Sequence, residues 1–81
     1  MGWCVYALDC RGKIYIGITN DLSKRLQTHA SGKGSRFVRS HLPFTVIGQI
    51  ECETRSEALK LEAHLKKLRR SEKLSVFGNI R

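Results

Sequence analysis

The chain has 81 residues, 41% of them hydrophobic, which is enough for one small core and too little for two domains. Its formal charge of +8, from 15 Lys and Arg against 7 Asp and Glu, favours polyanionic partners, because each phosphate neutralised releases counterions. Cys4, Cys10 and Cys52 form no CxxC pair, which argues against a disulfide framework or a tetrahedral zinc site. No apolar stretch approaches the roughly 20 residues of a membrane span, and the N-terminus lacks signal-peptide order. The expectation is one cytoplasmic domain over residues 1–81, with its core over about 3–70, a C-terminal tail over 71–81 and no membrane partner.

In chain order, Trp3 to Cys10 is a run of β-branched, aromatic and sulfur-bearing residues interrupted by Arg11-Gly12, and Lys13 to Thr19 is a second such run. Together they predict a β-hairpin. Asn20 or Asp21 caps a helix carrying Leu22, Leu26 and Ala30 at four-residue spacing, stopped by Gly32 to Gly34. Ser35 to Leu42 reads as a short second helix ended by Pro43. Thr45 to Cys52 reads as a third strand, its apolar content supplied by Val46, Ile47 and Ile50, with Gly48 as a point of close backbone approach. Thr54 and Glu57 form a T-x-x-E capping box opening the longest helix, whose core stripe is Ala58, Leu61, Leu65 and Leu68. Ser71 is placed to cap a further turn through Phe77, with Gly78 to Arg81 as a frayed end.

With Arg11-Gly12 as a two-residue loop, Tyr6 opposes Gly17 and Tyr15 opposes Leu8, so the tyrosines become diagonal neighbours on one face. Gly17 would leave open space beside them for a phosphate. Taken alone, both tyrosines also suit ordinary strand positions. Arg25 and His29, four apart, project from one side of the first helix. The arginine suits a phosphate clamp, the histidine a proton shuttle, and a plain surface pair is the alternative. Glu62 lies about 40° from Ala58 and about 60° from Leu65 around its helix, within the core stripe. A carboxylate there calls for a cation: a hard divalent ion, an arginine partner, or a rim position that reaches water. Between Asp21 and Glu51 there is no acid, while Lys24, Arg25, Lys33, Arg36 and Arg39 fall in that gap.

Val5-Tyr6-Ala7 and Tyr15-Ile16-Gly17, followed by Arg25, His29 and a helical Glu62, resemble the GIY-YIG nuclease family from about Trp3 to Leu68. Val5 stands where the family name has Gly, Ala7 follows Tyr6, and Ile18 replaces a lysine that some members carry beside the site. The H-x-S-G-K-G loop, His29 to Gly34, most resembles the small stand-alone bacterial members. The resemblance implies an α/β fold, with a three-stranded antiparallel sheet flanked by helices, and hydrolysis of DNA with one Mg²⁺ or Mn²⁺. It implies Tyr6, Tyr15, Arg25, His29 and Glu62 as catalytic residues, with Glu62 as metal ligand. One tyrosine would act as base, its phenol shifted toward ionisation by nearby cations, and either tyrosine fits that role.

Lys33, Arg36 and Arg39 are expected to hold the nucleic-acid backbone without reading bases. DNA is the expected partner and RNA the other candidate, with a protein partner supplying substrate recognition. The competing class is a basic nucleic-acid adaptor of the same fold with little or no catalysis.

Overall fold

Arg11 and Gly12 both have positive φ, 56° and 93°, as a two-residue hairpin loop requires if its twist is to match the strands. A non-glycine residue in the left-handed region costs about 1 kcal/mol, and two side chains brace the turn against it. Asp9 Oδ1 accepts from the Gly12 N–H at 2.7 Å, and Arg70 Nε donates to the Gly12 carbonyl at 2.9 Å. In the computed structural model of the protein, which describes residues 2–78, this turn joins β1 (Trp3–Cys10) to β2 (Lys13–Thr19). The register pairs Tyr6 with Gly17 and Leu8 with Tyr15, as the even loop predicts.

α1 (Leu22–Ala30), α2 (Arg36–Ser40), β3 (Phe44–Cys52), α3 (Arg55–Lys66) and α4 (Arg70–Gly78) follow. β3 pairs antiparallel with β1, giving a sheet of order β2-β1-β3 in which β1 is central and β2 an edge. The expected α/β architecture, a three-stranded antiparallel sheet flanked by helices, is present. A bulge between Ala7 and Leu8 shifts the β1–β3 register by one residue, which leaves Val46 exposed while Ile47 and Ile50 pack inward. Gly48 lies against Phe77, where an added Cβ would meet its side chain at an ordinary 3.5 Å, so glycine there is convenient rather than required.

Because successive β1 side chains point to opposite faces, the molecule has two apolar layers. Val5, Ala7 and Ile16 face Ala58 and Leu65 of α3 and Phe77 of α4. Tyr6, Leu8 and Cys10 face Val38, Leu22, Leu26 and Phe37 of α1 and α2. The T-x-x-E box is formed: Thr54 Oγ1 accepts from the Glu57 N–H at 3.1 Å, while the Glu57 carboxylate accepts from the Glu53 N–H, one residue before the cap. Leu65 is fully buried, and its truncation to Ala should cost about 2–5 kcal/mol.

Three expectations require correction. Ala30 is exposed, and the fully buried residue of α1 is His29, with Leu22 and Leu26 partly buried. The chain from residue 71 is no tail as far as Gly78: α4 docks on β3 and buries Phe77 to 3% exposure, because the first layer lacks a cover without it. Ser71 lies inside α4, and Glu72 accepts from the Arg69 N–H at 2.8 Å at the helix start. Residues 79–81, the rest of the expected frayed end, lie outside the described residues.

Candidate active site

The approach to α1 is built by local hydrogen bonds. Thr19, at the end of β2, accepts from the Asp21 N–H at 3.1 Å, and Asp21 Oδ1 accepts from the Lys24 N–H at 3.1 Å as the N-cap. This fixes the start of α1 beside the tyrosine face and aims Arg25 and His29 at Tyr6. At the other end Gly32, with φ of 82°, allows the Gly32 N–H to donate to the His29 carbonyl and the Lys33 N–H to the Thr28 carbonyl. That is a Schellman termination, and it folds the following loop back over the histidine.

Tyr6 and His29 are both 0% exposed, and Tyr6 Oη lies 2.8 Å from His29 Nε2. Arg25 Nε donates to Tyr6 Oη at 3.4 Å. The Tyr6 hydroxyl has one proton to give and two lone pairs, so its contact with His29 Nε2 is satisfied by either imidazole tautomer. His29 Nδ1 is buried and has no hydrogen-bond partner among the described residues. It is walled in by Gly34, where an added Cβ would stand 2.5 Å from it. Tyr15 packs across the pair, its ring centre 6.2 Å from Tyr6 and 5.4 Å from His29.

The electrostatics follow from burial. Desolvation pushes the Tyr6 phenol up to about 12, although the Arg25 hydrogen bond pulls it the other way. For Tyr6 this runs against the shift toward ionisation that a base needs: one guanidinium at 3.4 Å is outweighed by the loss of water. Desolvation, then the Arg25 charge, lowers the His29 pKa, so the imidazole is neutral at pH 7. The space expected beside Gly17 is filled as well. A Cβ at residue 17 would meet Tyr6 Oη at 2.5 Å and Tyr15 Cε2 at 3.0 Å, so this glycine admits the tyrosine ring and leaves no gap for a phosphate.

Thus Tyr6, Tyr15, Arg25 and His29 come together on one face. Glu62 stands in the other layer, on α3, and is outside that hydrogen-bonded cluster. Its side chain is 19% exposed and pairs with Lys66 Nζ at 3.4 Å, so it is a rim position with a lysine partner, not a carboxylate sealed in the core. The two layers meet around the β2 edge, where Lys66 shares a cavity with Tyr15 and Phe37. No group of three or more His, Cys, Asp or Glu side chains able to hold a metal occurs among the described residues. A single, partly hydrated carboxylate fits a hard divalent ion completed by water and phosphate oxygens, and does not fit a closed structural cage.

Lys33, Arg36 and Arg39 lie on the loop and α2, and none has a carboxylate within ion-pair distance among the described residues. Arg39 lays its aliphatic stem over Gly32. The sequence does not single out Gly34, which walls in His29, or Phe37, Lys66 and Lys73, which line the cavity beside Tyr15. Gly34 is visible in the sequence only as the end of the H-x-S-G-K-G loop, and Phe37 as an aromatic residue between the basic positions 36 and 39. No helix among the described residues is long and apolar enough to cross a membrane.

The GIY-YIG catalytic domain pattern matches residues 2–75. A UPF0213 protein of Cupriavidus necator is 46% identical over 72 residues, covering 88% of this chain and 78% of its own. The UPF0213 protein YsiG of Lactococcus lactis is 40% identical over 76 residues, covering 91% and 73%. The solution NMR structure of a UPF0213 protein from Bacillus halodurans superposes with a TM-score of 0.57 at 35% identity, covering 91% of this chain and 80% of that one.

Proposed function

Because the chain belongs to the GIY-YIG catalytic domain family, whose function is of nuclease type, we propose that it is a divalent-metal-dependent DNA endonuclease of the repair or recombination type. The observation that carries this reading is the Tyr6–His29–Arg25 cluster, a phenol, a neutral imidazole and a guanidinium bonded together under one strand of the sheet. Such a group is costly to bury, and a purely structural core has no need of it.

Tyr6 is sealed from water and stays protonated at neutral pH, so it serves as a positioning residue: it holds Arg25 through Nε and His29 through Nε2. Tyr15, half-buried beside it, is the tyrosine a water can reach, and it is assigned as general base. Tyr15 takes this role as the phenolate: the water oxygen bonds to phosphorus as its proton passes to Tyr15 Oη, the bond to the leaving oxygen breaks, and that oxygen takes a proton from solvent. The Arg25 guanidinium neutralises the charge that builds on the phosphoryl oxygens. Glu62 is assigned to hold one Mg²⁺ or Mn²⁺, which supplies Lewis-acid polarisation of the phosphate when bound. For that to happen the exposed Lys66 ammonium must give way, and an i,i+4 helix pair is worth only about 0.3–0.5 kcal/mol. Lys33, Arg36 and Arg39 grip the nucleic-acid backbone.

The test is cleavage of supercoiled plasmid and of labelled branched or single-stranded DNA with Mg²⁺ or Mn²⁺, comparing wild type with Glu62→Gln. Cleavage by the wild type that disappears in the variant, with DNA binding retained, is the expected result. The complete burial of Tyr6 favours one second reading, a basic nucleic-acid adaptor that does not cut. It predicts binding that survives chelation and no cleavage when metal is restored.

A further inference from the structure

The aromatic cluster does not end at Tyr15. The Phe37 ring lies 6.0 Å from Tyr15 with planes 20° apart, and 4.4 Å from His41 with planes 19° apart. His41 Nδ1 also donates to the Phe37 carbonyl at 2.8 Å, so the Phe37 ring is held from its own helix end. Beside this row a cavity of about 240 Å³ opens at the β2 edge, lined by Ile14, Tyr15, Ile16, Phe37, Lys66 and Lys73. Four of its six residues are aliphatic or aromatic, two are cations, and none is an acid.

That combination selects its occupant. Two ammonium groups at the rim disfavour a neutral apolar ligand, which would desolvate them without compensation. Free phosphate has no use for two aromatic rings and two isoleucines. A nucleobase with its adjoining phosphate uses both halves, the flat ring on the aromatic walls and the anion on the lysines. Within a duplex the faces of a base are covered by its neighbours, so only an unstacked base can lie against these rings. Tyr15 belongs both to this cavity and to the cluster with Tyr6 and His29, which sets the cavity directly beside the assigned reaction centre.

We propose that this cavity is a subsite for one unstacked nucleobase of a single-stranded DNA segment flanking the scissile phosphate. Phe37 and Tyr15 supply the stacking surface, and Lys66 and Lys73 hold the neighbouring phosphate. The proposal deepens the nuclease reading and rests on it for the position of that phosphate. The exposed Lys66 ammonium then exchanges its partner Glu62 for a substrate oxygen.

The experiment measures binding by the full chain in EDTA, so that cutting plays no part. The probes are a short single-stranded DNA carrying one 2-aminopurine and the fully paired duplex of the same sequence. Phe37→Leu keeps apolar volume and removes the ring; Phe37→Tyr keeps the ring. Wild type is expected to favour the single strand and to quench the 2-aminopurine. Phe37→Leu should weaken single-strand binding about tenfold, abolish the quenching and leave duplex binding unchanged, which also reports that the variant is folded. Phe37→Tyr should bind as wild type does. Lys73→Gln should reduce the salt slope for the single strand by about 0.7. An equal effect of Phe37→Leu on both DNAs, or no effect on either, overturns the subsite, and metal-dependent cleavage by the same preparation would leave the nuclease reading standing. A ring-dependent preference for single strands in a protein that never cleaves would do the reverse.

Discussion

Gly34→Ala should be among the most damaging single-methyl additions in the chain, and the structure gives the reason. The new Cβ would stand 2.5 Å from His29 Nδ1, 3.0 Å from Cε1 and 3.2 Å from Cγ. To reach ordinary van der Waals separation the imidazole must retreat by about 1 Å. It has nowhere to go freely, because its far nitrogen is bonded to Tyr6 Oη at 2.8 Å and its ring is boxed by Tyr15 and Phe44. A retreat of about 1 Å stretches or breaks that buried bond. Overpacking of about 1–3 kcal/mol, together with the loss of a buried hydrogen bond worth about 1 kcal/mol, gives a destabilisation of about 2–4 kcal/mol. For a chain of this size that lowers Tm by roughly 10–25 °C. Urea denaturation followed by circular dichroism reads the loss, and a double-mutant cycle with His29→Ala assigns it. In the His29→Ala background the imidazole is gone, so Gly34→Ala should cost less than about 1 kcal/mol. An equal loss in both backgrounds would refute the packing argument.

Four further outcomes follow from the same geometry. His29 has a folded pKa lowered from the ordinary 6.5 by burial, so the unfolded chain binds the proton first as pH falls. Stability should therefore be complete above about pH 6.5 and decline below it, and denaturation midpoints for His29→Gln should lose that slope. Arg11→Asn should stabilise the protein by about 0.5–1 kcal/mol, because asparagine tolerates the left-handed region that Arg11 occupies at φ 56°; an unchanged or lower urea midpoint would count against the strain. Neutralising Lys33, Arg36 and Arg39 should weaken DNA binding uniformly across sequences and make the salt slope shallower by about 0.9 for each duplex phosphate that is no longer neutralised; an effect confined to one sequence would contradict a backbone role. With the Tyr6 phenol pushed up to about 12, Tyr6→Phe should reduce cleavage without moving the pH–rate profile, whereas Tyr15→Phe should abolish it. Wild-type rates in both variants would remove tyrosine from the mechanism.

Much of the site is legible in the sequence because its geometry is set by short-range periodicity. An even hairpin loop puts Tyr6 and Tyr15 on one face whatever surrounds them, and helical spacing puts Arg25 beside His29. Gly32 and the T-x-x-E box announce helix ends through backbone rules that act within a few residues. Gly17 stands out in the sequence as a missing side chain, but not for the right reason, since which ring fills the room of the absent Cβ depends on the fold of the opposite strand. Helical spacing places Glu62 correctly on its helix, but the position of Lys66 and the slope of the protein surface decide that it reaches water.

By itself, then, the sequence determined the three strands and first three helices, the register of the hairpin, the shared face of the tyrosines and the concentration of cations, all of which follow from local periodicity, turn chemistry and charge. Only the tertiary structure decided that His29, and not Ala30, enters the core, that Phe77 closes the layer beneath α3, that Tyr6 resists ionisation, and that Phe37 meets Lys66 and Lys73 across the sheet edge. Each of these depends on what excludes water from a group or stands opposite it. That is a property of residues far apart in the chain, which no local pattern encodes.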